Sequence, residues 1–392
     1  MNDKSNGHFK VPRIGLKRGI RQGVEAAAVI CLCILLLSAA FLNKDYGSQM
    51  DYGPVTGKGH KQYSVREEAL ALLPQTYIKI GFAQAGHESD WRIAVTDSCM
   101  KTFCEENGYQ LYFVDADGSH GRQVSAVRNF IQEQVDYILI DPIISTGWTA
   151  VLKEAYHAKI PVIILNGRID CRPRYYKAWY GPDYILEGEC AGQWLYKTLT
   201  RLGQNGGLKR ILLMNGTSGM MEQSGRMEGF AKYMERNRNW TILTQSRDHS
   251  GQNTVRQMMA DCLEQYTDID VILCQNDHAA LEVCSSLDEA GLLYGADGGI
   301  IILSFGASYD GLKAVYQGKL NAAFECSPLA PYYAQQAVRS LESGEMIEEK
   351  HNYLPEECFA LDGSMYLVTS SAVKKVIPVT EELLNDKKIK SK

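Results

Sequence analysis

From residue 77 onward, short continuous apolar runs alternate with longer segments whose apolar residues recur every three or four positions. The runs are 77–83, 109–114, 137–140, 162–165, 210–215, 241–246, 271–275 and 299–305. Helical spacing marks 91–107, 122–134, 147–158, 184–202, 223–237, 252–266, 279–290 and 310–317. A strand apolar on both faces, followed each time by an amphipathic helix, is the pattern of a parallel sheet covered on both sides. So many strand–helix units exceed what one open sheet of this length holds, and the chain breaks at Tyr180-Gly181-Pro182-Asp183. The pattern predicts an α/β fold of two doubly wound parallel-sheet lobes joined by a hinge. A (β/α)8 barrel competes, because its unit count is similar.

Ahead of this body, residues 26–42 (AAAVICLCILLLSAAFL) carry no charge. At about 1.5 Å per residue they reach roughly 25 Å, a little short of a hydrocarbon core of about 30 Å. The run predicts a transmembrane anchor, with a cleaved signal peptide as the alternative. A basic leader, 1–25, precedes it, and a polar linker, 43–76, follows. Lys4, Lys10, Arg13, Lys17, Arg18 and Arg21 stay inside under either alternative, which puts the body outside the bacterial cytoplasmic membrane. The formal net charge of -5 therefore understates how acidic that body is. An acidic body without a basic stripe argues against nucleic-acid binding.

Composition adds exclusions. At 45% hydrophobic and 22% charged, the chain has ample material for packed cores and is not disordered. The body's cysteines fall at irregular spacing without CxxC or CxxxH, so neither a zinc site nor a redox pair is expected. Cys190, Cys262, Cys274 and Cys284 lie in apolar elements, as buried thiols do. Gly216-Thr217-Ser218-Gly219 lacks the last glycine of a nucleophile elbow, and Asp115-Ala116-Asp117-Gly118 lacks the distal Glu of a calcium loop. There is no phosphate loop, GxGxxG turn or HExxH. A binder without metal or cofactor is expected rather than an enzyme.

In open α/β sheets, ligand groups gather at the carboxyl ends of strands. The loop after the first run offers Glu88, Ser89, Trp91 and Arg92: a carboxylate, a hydroxyl, an indole and a guanidinium. Such a set suits a polyhydroxylated ligand, with the indole on C–H groups and the polar tips on hydroxyls. Alternatively, Ser89 caps the helix and Trp91 packs beneath it. Asn166 and Arg168, His249, Asn276 and Asp277, and Glu325 follow or lie in later strands.

At these strand ends the sequence resembles the extracytoplasmic sugar-binding proteins of ABC transporters. These have the type I periplasmic-binding fold shared with ribose binders, and the likeness is nearest to their galactofuranose-binding branch. It is carried by GFAQAGHESDWR (81–92), DPIISTGWTAVLKEA (141–155), GPDYILEGE (181–189), NGTSG (215–219) with RMEGF (226–230), QND (275–277) and 304–328. The resemblance implies two lobes joined by three crossovers. The N-terminal lobe comprises 77–182 plus about 306–325, the C-terminal lobe 183–305 plus about 326–370, and 371–392 forms a tail. It implies ligand contacts at Glu88, Ser89, Trp91, Arg92, Asn276 and Glu325, with His249 where the family often has an aromatic. Three of its positions differ here: the usual Asp-Arg pair is Asn166-Gly167, and a later Asp is Gly306. Arg168 is the candidate to replace the missing guanidinium. The expected function is capture of a small sugar-like ligand and its delivery to an ABC permease. One alternative is a membrane-anchored sensor signalling to a histidine kinase. Another, an exported hydrolase, would need a nucleophile–base pair such as Ser218 and His249.

Overall fold

A computed structural model describes residues 77–87, 89–214, 220–243 and 254–390, all within one compact unit, Gln75–Lys392. The leader, the apolar run at 26–42 and the linker lie outside the described residues. Among those described, no helix is long and apolar enough to cross a membrane.

The chain begins with β1 (Ile78–Gln84), α1 (Asp90–Thr102), β2 (Tyr109–Asp115), α2 (His120–Gln132), β3 (Tyr137–Ile140), α3 (Thr149–Ala158), β4 (Val162–Leu165) and β5 (Ala178–Gly181). It continues through α4 (Tyr184–Arg201), β6 (Lys209–Met214), α5 (Met220–Arg236), β7 (Trp240–Leu243), α6 (Val255–Gln265), β8 (Val271–Cys274), α7 (Asp277–Ala290), β9 (Ile301–Gly306), α8 (Tyr309–Tyr316) and β10 (Ala322–Glu325). Last come α9 (Ala330–Glu342), β11 (His351–Tyr353), β12 (Cys358–Ala360), β13 (Tyr366–Val368), β14 (Val373–Pro378) and α10 (Glu381–Lys390).

These strands form two open sheets, which excludes the barrel. One has the order β11-β5-β4-β3-β1-β2, the other β13-β14-β12-β10-β9-β8-β6-β7. The first is parallel throughout, and the β6–β10 part of the second is too. Side chains alternate between faces as the apolar runs require. Ile163 and Leu165 join the cluster under α1 and α9, whereas Val162 and Ile164 join that under α2 and α3. In the second lobe Leu303 and Phe305 pack towards α4 and α5, and Ile302 towards α6, α7 and α8.

The expected lobe boundaries need correction. Residues 306–325 belong to the second lobe, not the first: β10 pairs with β9, and Leu312 and Val315 of α8 fill the second core. Part of 326–370 returns to the first lobe, where Ala330, Ala334 and Val338 of α9 pack under the sheet and β11 pairs with β5. The supposed tail is structural, since β14 lies between β12 and β13 and Leu384 of α10 is buried. The physical reason is continuity, because α8 and β10 extend the strand–helix alternation of the sheet they follow. The chain thus crosses between lobes at 182–183, 326–329 and 354–357.

One carboxylate ties the three crossings. Glu356, in the third, accepts the backbone N–H of Asp183 in the first (3.4 Å) and of Ser327 in the second (3.2 Å). Beside it, Arg226 donates from Nε to Glu187 (2.7 Å) and from Nη1 to the Gln275 carbonyl (2.8 Å), with its guanidinium 4.6 Å from the centre of the Phe305 ring. Burial pushes the Glu187 carboxyl up to about 7, against the pull of Arg226. Burial, then the neighbouring Glu187, pushes Glu356 well above the usual carboxylate range. Arg226 reaches this place because α4 and α5 cross closely through Gly188, Gly192, Gly225 and Gly229. A Cβ on Gly229 would overlap the Ile185 carbonyl, and one on Gly188 the Arg226 carbonyl.

Gly229→Ala is therefore expected to cost about 1–3 kcal/mol of stability by forcing these helices apart; an unchanged urea midpoint would contradict the close crossing. Burial raises the folded-state pKa of both acids, so the contribution of each is full below the ordinary carboxylate range and is lost as pH rises through its folded value, which is about 7 for Glu187. Urea unfolding between pH 5 and 8 should show a decline of about 1–3 kcal/mol from this pair, flattened in Glu356→Gln. Equal pH slopes in the two proteins would refute it.

Candidate ligand cleft between the lobes

The first turn of α1 is set by Ser89, whose Oγ accepts the Arg92 N–H at 3.3 Å as the helix cap. The capped turn carries Trp91 and Arg92 in different directions. Trp91 packs against the first core, and its indole N–H donates to the Cys326 carbonyl in the second crossing at 2.8 Å. Arg92 is buried, with Nη1 3.3 Å from Asp141 Oδ2 at the end of β3. Its Nη2 lies 3.8 Å from Glu222 Oε1 in the first turn of α5, across the cleft. Here, side chains of opposite lobes meet.

Asn166 follows β4 with a left-handed backbone (φ 55). Its N–H donates to the Tyr180 carbonyl (2.8 Å), and its carbonyl accepts the Trp179 indole N–H (3.1 Å). The side chain is 1% exposed, yet neither Nδ2 nor Oδ1 has a hydrogen-bond partner among the described residues. A buried amide left so costs about 1–3 kcal/mol per unmade bond. A ligand offering one donor and one acceptor recovers that loss. The adjoining Gly167 has no room for a side chain: a Cβ there would lie 2.6 Å from Met221 Cε of the second lobe and 3.0 Å from the Pro142 carbonyl.

The other sequence candidates divide. Glu88 and His249 lie outside the described residues. Arg168 is exposed rather than a replacement inside the pocket. Its guanidinium stacks 4.4 Å over Trp179, and Nη2 donates to the Tyr353 hydroxyl at 2.6 Å. Asn276 caps α7, accepting the Ala279 N–H at 2.7 Å. Asp277 is buried, which raises its pKa; its carboxylate accepts from the Ser304 hydroxyl and, at 2.6 Å, from the Ser308 N–H. A Cβ on Gly306 would lie 2.8 Å from that carboxylate, and φ there is 132, so glycine is required. Glu325 is bonded within its own lobe and the third crossing, to Lys387 at 2.9 Å and the Glu357 N–H at 3.1 Å. These bonds give Asp277 and Glu325 structural work within the second lobe and the third crossing.

Asp141, Met221 and Glu222 were not anticipated as site residues. Asp141 had a signal, being the first polar residue after the apolar run 137–140. The other two had none, because only the lobe closure reveals what they meet. The thiol and carboxylates of Cys326, Glu187 and Glu356 cluster at the base of the crossings, where Arg226 already supplies a positive charge to Glu187.

Residues 80–345 match the family described as periplasmic binding protein domain. The chain is 32% identical to the galactofuranose-binding protein YtfQ of Escherichia coli (strain K12) over 298 residues, 74% of this chain and 88% of that one. It also superimposes on a Mycobacterium smegmatis protein solved with β-D-fucofuranose, at 36% identity and TM-score 0.64, covering 72% of this chain and 91% of the other. An arabinose ABC transporter component from Shewanella sp. ANA-3, solved with α- and β-L-arabinofuranose, matches at 30% identity and TM-score 0.64, with the same coverage of 72% and 91%. With the two-sheet fold, the three crossings and this match across most of its length, the chain belongs to the periplasmic binding protein family.

Proposed function

We propose that this protein captures a sugar in its furanose form between the two lobes and delivers it to an ABC transporter. The observation that carries this is the Asn166 amide, buried and without a partner among the described residues, in a wall that Met221 and Glu222 of the other lobe complete. Furanoses fit because the compared proteins are a galactofuranose binder and two proteins solved with furanose sugars. A furanose ring presents adjacent hydroxyls, each both donor and acceptor, to an amide that needs both.

Binding proceeds without bond breaking. Sugar docks on one lobe, and closure adds contacts from the other; only those added contacts shift the population towards the closed state. The three crossings bend, while the two cores stay intact. A membrane permease reads the closed surfaces. The apolar run at 26–42 holds the body at the outer face of the cytoplasmic membrane.

Thermal shift and calorimetry on the full chain, with D-fucose, L-arabinose and D-galactose, test this. At least one sugar should bind. Asn166→Gly, which keeps the left-handed backbone at no steric cost, should weaken binding at least tenfold while leaving the sugar-free melting temperature unchanged or higher. A response to no sugar would sink the proposal. A melting temperature lowered by the substitution would make Asn166 structural instead.

A further inference from the structure

Arg92 faces two carboxylates from opposite lobes. Asp141 Oδ2 approaches Nη1 at 3.3 Å and Glu222 Oε1 approaches Nη2 at 3.8 Å. The three side chains are 9, 3 and 12% exposed, so solvent screens this group little. Among the described residues, the wall thus sets this cation beside acids from both lobes. Building on the sugar-binding proposal, we propose that Glu222 is a specificity-determining residue that makes the cleft admit neutral sugars and reject those bearing a carboxylate or phosphate.

The chemistry is direct. A guanidinium with an available edge pairs bidentately with a carboxylate or phosphate and would draw anionic sugars in. Here Asp141 and Glu222 flank that group. An incoming anion would meet the Glu222 carboxylate at close range where solvent is largely excluded and like charges repel strongly. Hydroxyls of a neutral sugar bring no such opposition, and they accept from Arg92 or donate to either acid. Glu222 belongs to α5, so this filter is applied as the second lobe closes. Initial docking on the first lobe precedes it.

Calorimetric titration of the full chain and of its Glu222→Gln variant tests this. Each neutral sugar that binds is compared with its own uronate or terminal phosphate, such as D-galactose with D-galacturonate or D-ribose with D-ribose 5-phosphate. The unaltered chain should bind the neutral member at least tenfold more tightly. Glu222→Gln should narrow that ratio at least fivefold, mainly by strengthening binding of the anion. Because the ratio is taken within one protein, any loss of folded fraction cancels. Equal affinities for the two members in the unaltered chain, or the same ratio in both proteins, would overturn the assignment while leaving sugar binding intact. Failure of every neutral sugar to bind would overturn both.

Discussion

Three crossings of the polypeptide join the two sheets, and Glu356 holds all three by accepting from the first and the second while standing in the third. Everything the cleft does depends on that junction. Three parallel links restrict the lobes to a hinge-like motion, because sliding or twisting would stretch at least one link. The buried Arg226–Glu187 pair beside it fixes α4, α5 and the end of β8 relative to one another. Removing Glu187 would leave the Arg226 charge buried and alone, at a cost of about 3–5 kcal/mol. The junction thereby joins two separate cores into one jointed body.

The cleft wall is built on the same economy. Strand ends supply the positions, and the residues just beyond them turn inward because the sheet cannot continue. Ser89 caps α1 and so sets the turn bearing Arg92; Trp179 fixes the backbone at Asn166. Neither Ser89 nor Trp179 needs to touch a sugar. Support for the site and contact with the ligand are separate duties here. An arginine shared between acids of opposite lobes and an amide without a partner among the described residues are the features that the fold alone does not require.

Much of this was legible in the sequence. Apolar runs such as 162–165 and 271–275 located buried strands within a residue, because burial on both faces leaves no alternative pattern. The first-loop residues Ser89, Trp91 and Arg92 and the strand-end Asn166 were visible as polar groups at strand termini. What sequence spacing did not show was long-range pairing. The return of α9 to the first lobe depends on small residues fitting against α1. The use of Glu325 by Lys387 joins positions far apart in the chain. Glu222 and Met221 looked like ordinary helix residues, since their roles arise only where the lobes meet. Gly306 read as a lost carboxylate, whereas Asp277 occupies the space beside it.

The central claim is that one sugar bridges both lobes. A crystal structure of the chain grown with whichever neutral sugar it binds would test it most directly. The account predicts a single furanose ring between the lobes, with hydroxyls within hydrogen-bond distance of the Asn166 amide on one side and of a residue from 183–325 on the other. A sugar bound to one lobe alone, or lodged outside the cleft with the Asn166 amide still without a partner, would contradict it.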